Sequence, residues 1–231
     1  EAILSGEAHS RSNLDLPGAQ IQLLKELAKT GKPIVLVIMA GRPITITNII
    51  DDVDAVLMAW HPGTMGGEAL REIIYGISEA EGRLPVSWPK NAGQLPYFYN
   101  HKNTGRPAET GQFVQMDSIP IGAWQSSLGN DSHYLDIGYT PHFPFGFGLS
   151  YTSFNYENLT VAKDTIGFDE ELTITATITN TGKRNGKELA QLYIQDVVGS
   201  ITRPIRELKG FEHVYLKSGE TKEVSFKISS K

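Results

Sequence analysis

The chain has no cysteine among its 231 residues. That absence excludes a disulfide scaffold, a thiolate metal site and a cysteine nucleophile, although it leaves the compartment open, because a large core needs no disulfides. Long apolar runs are also missing. The longest, Pro33 to Ala40, falls far short of the ~20 residues needed to span a bilayer and reads as a buried strand, so no membrane partner is expected. No signal peptide opens the sequence. Residue 1 is glutamate, and the N-terminus reads as a cut end. An excess of basic residues is lacking too: 21 Lys plus Arg stand against 26 Asp plus Glu, for a net charge of -5. A nucleic-acid partner is therefore not expected. The six histidines are scattered, none at ligand spacing with a carboxylate, and neither a metal nor a cofactor is expected. What remains is ordinary globular composition, 40% hydrophobic and 20% charged, which rules out whole-chain disorder. At about 100–200 residues per domain, the length suits one large domain or two smaller ones.

Three textures follow one another. From residue 12 to about 90 the pattern alternates between helix and strand. Ile21, Leu23, Leu24, Leu27 and Ala28 recur at helical spacing after Pro17-Gly18, and Thr30-Gly31-Lys32-Pro33 ends that helix. Ile34 to Met39 is continuously apolar, as suits a strand covered on both faces. A second apolar run spans Ala55 to Trp60, and a helix is expected over Glu68 to Ile77. Gly82 to Pro89 reads as a short edge strand, because Pro85 and Pro89 exclude a central one. The whole implies an α/β fold, a mostly parallel sheet sandwiched by helices. From 90 to about 150 periodicity is weak and Gly, Pro and aromatics are frequent, which reads first as long ordered loops that wrap the sheet and second as loops of which some border a binding site. From about Tyr151 strict alternation takes over: Leu172, Ile174, Ala176 and Ile178 alternate with Thr173, Thr175, Thr177 and Thr179, and similar runs include Ala190, Leu192, Ile194 and Val224, Phe226, Ile228. Such strands imply an all-β sandwich, incomplete here because the chain stops directly after a strand. The expected domains are residues 1–150 and 151–231.

Several candidate chemistries fall away. Gly63 to Gly67 leads into a helix but lacks the Gly-Lys-Ser/Thr ending of a phosphate loop. It reads as a tight strand-to-helix turn. Asp51, Asp52 and Asp54 lack the ordering of a calcium loop. Asn130-Asp131-Ser132 and Asn158-Leu159-Thr160 fit the glycosylation sequon, and Ser150 lacks a nucleophile-elbow context.

Taken in order, a set of motifs resembles the C-terminal half of a family 3 glycoside hydrolase of the periplasmic β-glucosidase type. They are Ser5-Gly6-Glu7-Ala8-His9-Ser10-Arg11, Leu16-Pro17-Gly18-Ala19-Gln20, Trp60-His61-Pro62-Gly63 with Gly66-Gly67, and Gly82-Arg83-Leu84-Pro85. They continue through Asn103-Thr104-Gly105-Arg106-Pro107, Phe143 to Thr152 and Arg203 to Phe211. Each is weak alone, but together they cover nearly the whole chain. The resemblance implies an N-terminal TIM-type barrel with the nucleophilic Asp, an α/β sandwich domain with the acid/base Glu, and a fibronectin-III-like domain. This sequence matches only the last two. A β-glucoside or oligosaccharide substrate, the barrel as partner, and a periplasmic or secreted location are implied likewise.

In the resemblance the acid/base Glu lies some seven residues before the Glu that is Glu7 here. Glu1 sits six before it, so the acid/base is either Glu1 or the immediate neighbour preceding it. Glu7, His9 and Arg11 are candidate substrate-binding residues at the mouth of the site. Each also has a plainer reading: a Glu7–Arg11 ion pair at helical spacing, a surface histidine, and an arginine that holds its loop. The rival function is a non-catalytic carbohydrate-binding or interaction module using Tyr97, Phe98, Tyr99, Trp124 and Tyr134 as stacking surfaces. Their plainer reading is loop packing.

Overall fold

A computed structural model describes residues 11–103, 106, 116–122 and 134–229. The chain forms two compact units, one of Glu1–Gly67 with Pro85–Phe145, the other of Glu68–Leu84 with Gly146–Lys231.

In the first unit, helix α1 (Gln20–Ala28) places Leu24 inward, where it is buried. The helix stops where Gly31 turns into the left-handed region at φ 66, which glycine enters without steric cost. Strand β1 (Val35–Ile38) then pairs in parallel with β2 (Ala55–Met58), from Val35↔Ala55 to Ile38↔Met58. The connecting stretch 39–54 has the length a parallel crossover needs and includes a single 3-10 turn at Ile50–Asp52. One member of the acidic cluster works here: the Asp54 carboxylate accepts the Ile34 N–H at 2.7 Å, fixing the entry to β1. The core gathers Leu14, Leu24, Ile38, Ala40, Ile44, Ile46, Ile49 and Trp88.

Two expectations need correction. The strand Ile34–Met39 is not covered on both faces: Val35 and Met39 are 49% and 54% exposed. The described residues give β1 one neighbour, β2, and a strand at a sheet edge is only partly shielded. Residues 82–89 do not form a continuous strand either. The first unit holds one pair, with Trp88 N–H donating to Phe143 O at 2.8 Å and His142 N–H to Trp88 O at 2.7 Å. The second holds another, with Leu84 N–H donating to Phe147 O and Gly146 N–H to Leu84 O, both at 2.8 Å. Pro85 and Pro89 have no N–H to give, so the ladder reduces to these rungs.

Helix α2 (Gly66–Ile74) follows the Gly63–Gly67 turn, and from Glu68 its residues belong to the second unit. That unit contains β3 (Phe154–Val161), β4 (Glu171–Asn180), β5 (Gly186–Ile194), β6 (Glu207–Leu216) and β7 (Thr221–Ser229). They form a three-stranded sheet in the order β3-β4-β7 and a two-stranded sheet β5-β6, all pairs antiparallel. Alternation puts Ile178, Ala190, Val214, Leu216 and Val224 into one buried cluster, with Phe154, Ala176 and Phe226 against it.

Polar groups close this unit. Arg83 and Glu188, with side chains only 6% and 15% exposed, form an ion pair at 2.8 Å. The other carboxylate oxygen of Glu188 accepts the Tyr156 hydroxyl at 2.9 Å. Burial, followed by the neighbouring Glu188 charge, pushes the Tyr156 phenol far above its usual range and keeps it a donor. Asn180, fully buried, satisfies all of its side-chain valences. Its Oδ1 accepts Thr152 Oγ1 at 2.7 Å and Gly182 N–H at 3.1 Å. Its Nδ2 donates to Arg184 O at 2.7 Å and Leu216 O at 3.1 Å. Gly146 shows why the Phe145-Gly146-Phe147 step requires glycine: φ is +80, and a Cβ there would fall 2.2 Å from Gln191 Oε1.

Candidate functional site

In open parallel sheets, ligands gather beyond the carboxyl ends of the strands. Here those ends are the segments 39–46 after β1 and 59–63 after β2, both in the first unit. Trp60 leaves β2 with φ 51. This left-handed conformation is strained for a bulky residue and is held only where the surroundings impose it. Its ring lies 6.5 Å from that of Trp88, tilted at 53°. Trp88 is itself buried and donates Nε1–H to Ile44 O at 2.8 Å. The turn of Trp60 carries His61 against Gly41, where a Cβ would stand 2.7 Å from His61 Nε2. A side chain at position 41 would have to displace the His61 ring.

The segment leading into α1 is joined to the same end of the sheet. Asp15 bridges Thr45 in parallel, Thr45 N–H donates to Leu14 O at 2.9 Å, and the Thr45 hydroxyl donates to the Asp15 carboxylate. Arg11 Nη2 donates to Asp15 O at 2.7 Å. Of the four candidate site residues, Arg11 therefore stands beside the loop after β1. Glu1, Glu7 and His9 lie outside the described residues. Trp60, Gly41 and His61 were not singled out by the sequence as site residues. The sequence hint for them was the glycine-proline punctuation of Gly41-Arg42-Pro43 and His61-Pro62-Gly63.

A second polar group lies near the first unit's Trp88–Phe143 pairing. Lys90 Nζ donates to Thr140 Oγ1 at 3.0 Å, and buried Gln94 donates to the carbonyls of Gly138 and Thr140 while accepting Lys90 N–H. Burial, then the Lys90 ammonium, holds the His142 imidazole below its ordinary pKa of 6.5, with Asp51 opposing. His142 is thus biased toward the neutral form.

The aromatic side chains considered as stacking platforms are mostly engaged within the loops. The Tyr97 hydroxyl donates to Tyr139 O at 2.6 Å and the Tyr134 hydroxyl to Gly93 O at 2.7 Å. The Tyr99 ring stacks on Phe145 at 4.2 Å. Phe98 is exposed, and Trp124 lies outside the described residues. Among the described residues no group of three or more His, Asp or Glu is placed to hold a metal ion, and no helix is long and apolar enough to cross a membrane.

Comparison with known proteins gives two domain matches: a glycosyl hydrolase family 3 C-terminal domain over residues 1–151 and a fibronectin type III-like domain over residues 188–231. The chain is 40% identical over 225 residues to a periplasmic β-glucosidase of Salmonella typhimurium, covering 97% of this chain and 28% of that protein. It is 36% identical over 223 residues to a β-xylosidase of Formosa agariphila, covering 96% and 28% respectively. A crystal structure of a Listeria innocua β-glucosidase in complex with isofagomine superposes with a TM-score of 0.86 at 38% identity, over 97% of this chain and 30% of that one. The chain thus spans under a third of the length of these relatives.

Proposed function

Since this chain belongs to the family of glycosyl hydrolase family 3 C-terminal domains, we propose that it is the C-terminal part of a retaining, exo-acting β-glucosidase that removes terminal β-linked glucosyl residues. The supporting observation is the 40% identity to a periplasmic β-glucosidase across 97% of the chain. In this reading residues 1–150 belong to an α/β sandwich domain, a mostly parallel sheet between helices, and residues 151–231 to a fibronectin-III-like domain. The partner is the N-terminal barrel of the same polypeptide, the substrate a β-glucoside or oligosaccharide, and the location periplasmic or secreted.

The chemistry divides between the two parts. Retention requires two carboxyl groups about 5–5.5 Å apart, a nucleophile and an acid/base. The nucleophile belongs to the barrel. The acid/base belongs to the N-terminal edge of this chain, at Glu1 or the residue before it. Glu7, His9 and Arg11 line the sugar-facing side, with Arg11 set beside the β1 loop through Asp15. The acid protonates the leaving oxygen and then, as carboxylate, activates the water that releases the glycosyl-enzyme.

A chimera tests this. The chain replaces the matched region of the Salmonella β-glucosidase, and hydrolysis of an aryl β-glucoside is measured. The chimera is expected to turn over substrate and the 231-residue chain alone to give none. Glu1→Gln lowers kcat by about 10²–10⁴-fold if Glu1 is the acid/base, while Glu7→Gln acts mainly on KM. Turnover by the chain alone, or a folded chimera without activity, overturns the proposal.

A further inference from the structure

In the second unit, strands that cover a core turn their alternate residues to solvent, and those residues are normally polar. β4 follows the rule with Thr173, Thr175, Thr177 and Thr179, and β7 with Glu223, Ser225 and Lys227. β6 departs from it. Val214 and Leu216 point into the buried cluster, so Phe211, His213 and Tyr215 stand together on the outward face. All three are exposed, Phe211 by 65% and Tyr215 by 50%. Among the described residues neither the His213 ring nitrogens nor the Tyr215 hydroxyl has a hydrogen-bond partner. A row of exposed rings with unspent polar tips marks a binding surface.

The neighbouring strand sets the limits of that surface. Lys187, Leu189 and Gln191 of β5 lie opposite Tyr215, His213 and Phe211. Lys187 Nζ donates to Glu81 at 2.7 Å and Gln191 Nε2 to Gly146 O at 3.0 Å. The β5 side of the face is therefore fastened within its own unit, and the β6 side is open. Two-residue steps of about 6.5 Å set the three rings in a straight row about 13 Å long.

Size and charge select the occupant. A stable protein partner needs about 800 Å² and 20–30 residues a side, and three side chains with the exposed charges of Lys209, Glu212 and Lys217 around them do not reach that. A nucleic-acid strand needs a positive groove beside the rings, whereas the chain carries a net charge of -5 and Lys187 is paired to Glu81. A β-linked glucan fits both. Its hydroxyls are equatorial, so each sugar has flat C–H faces and a polar rim, and the chain runs extended along a row rather than coiling. The C–H faces meet the electron-rich faces of aromatic rings, and the rim meets imidazole and phenol groups that both donate and accept.

We propose that Phe211, His213 and Tyr215 form a platform that holds an extended β-linked glucan. Phe211 and Tyr215 stack on sugar rings, and His213 and the Tyr215 hydroxyl bond sugar hydroxyls. The platform binds and does no chemistry. The choice of a β-linked glucan rests in part on the glycosidase reading; the row of rings does not.

The test titrates the 231-residue chain with cellohexaose, a soluble β-linked glucan, and with its coiled α-linked counterpart maltohexaose, following the side-chain NMR signals. Cellohexaose is expected to shift the signals of Phe211, His213 and Tyr215 saturably, and maltohexaose to bind at least about 10-fold more weakly, as expected if one ring contact is lost. Phe211→Ala and Tyr215→Ala are each expected to weaken cellohexaose by about 10-fold. Both side chains are exposed, so the melting temperature stays within about 2 °C. Phe211→Leu keeps apolar bulk without a flat ring and is expected to weaken binding as the alanine variant does; it also makes the comparison should the alanine variant fail to fold. Aryl β-glucoside turnover by the chimera reports on the glycosidase reading alone. An inactive chimera beside intact cellohexaose binding removes that reading and leaves the platform. Unmoved signals at 211, 213 and 215 overturn the platform even beside an active chimera. So does an equal response to the two hexasaccharides, or signals that follow protein concentration without sugar, which would make the face a contact between copies.

Discussion

The two units build their cores in different ways. In the β-sandwich unit the alternating residues of four strands meet in one buried cluster, and the buried Arg83–Glu188 ion pair also holds the Tyr156 hydroxyl. In the parallel-sheet unit Ile38, Ile44 and Trp88 are buried, yet Leu23 and Leu27 of α1 and Val35 of β1 remain in solvent. The difference teaches that the two stretches of sequence carry different kinds of information. The first unit buries residues of a helix, a strand end and the loop after it, such as Leu24, Ile38, Ile44 and Ile49. The second buries alternating positions of its strands.

The contrast can be broken most forcefully at Glu188. Glu188→Ala leaves the Arg83 guanidinium buried without its carboxylate and the Tyr156 hydroxyl without its acceptor. A loss of about 4 kcal/mol is expected, seen as a lower urea midpoint of the sandwich transition. Next is Leu216→Ala, which empties a fully buried site in the same cluster and is expected to cost about 3 kcal/mol, with an unchanged denaturant slope. A smaller effect in the other unit depends on pH. The folded state holds His142 below 6.5, so its contribution is fully present above pH 6.5. As pH falls below that value the unfolded chain takes up the proton first, and stability declines until the folded value is passed. His142→Gln is expected to flatten that slope between pH 6.5 and more acidic values, as followed by thermal melting across pH. The smallest effect is Leu23→Ala, which removes a side chain already 60% exposed. It is expected to change the free chain's stability by under about 0.5 kcal/mol. A large loss there would mean that α1 is packed as tightly as the sandwich.

Legibility in the sequence followed the same division. The threonine-alternating run of β4 was plain because it faces a core on one side and pairs with strands on both. β3 was not plain: after Phe154 all of its residues are exposed, so no alternation was imposed on them. It also carries a bulge near Asn158, a residue at φ 54. The helix of Leu24 was readable from its spacing, and its end from Gly31. The segment 82–89 misled because two prolines permit an edge strand in principle but leave few N–H groups to build one. For the site, Arg11 was expected from a motif, and the structure sets it against Asp15. The glycine-proline punctuation around Gly41 and His61 marked two turns, but not the Trp60 conformation or the approach of His61 to Gly41, because these arise from two loops that meet only after β1 and β2 pair.

Asn180 has a consequence for how this protein can vary. One side chain joins residues 152, 182, 184 and 216, and its backbone N–H donates to Glu220 O and its C=O accepts from Gly219 N–H, both at 2.9 Å. A residue inserted or deleted between 181 and 185 would move at least one of those partners out of reach. The stretch between β5 and β6, where Val197, Val198 and Ile201 stand in solvent, is instead clasped by surface ion pairs, Arg203 to Asp196 at 3.4 Å and to Glu207 at 3.3 Å. Length differences among lineages should accumulate there, and a label or an extra module fused at Val198 should be accepted where the same insertion at Lys183 is refused.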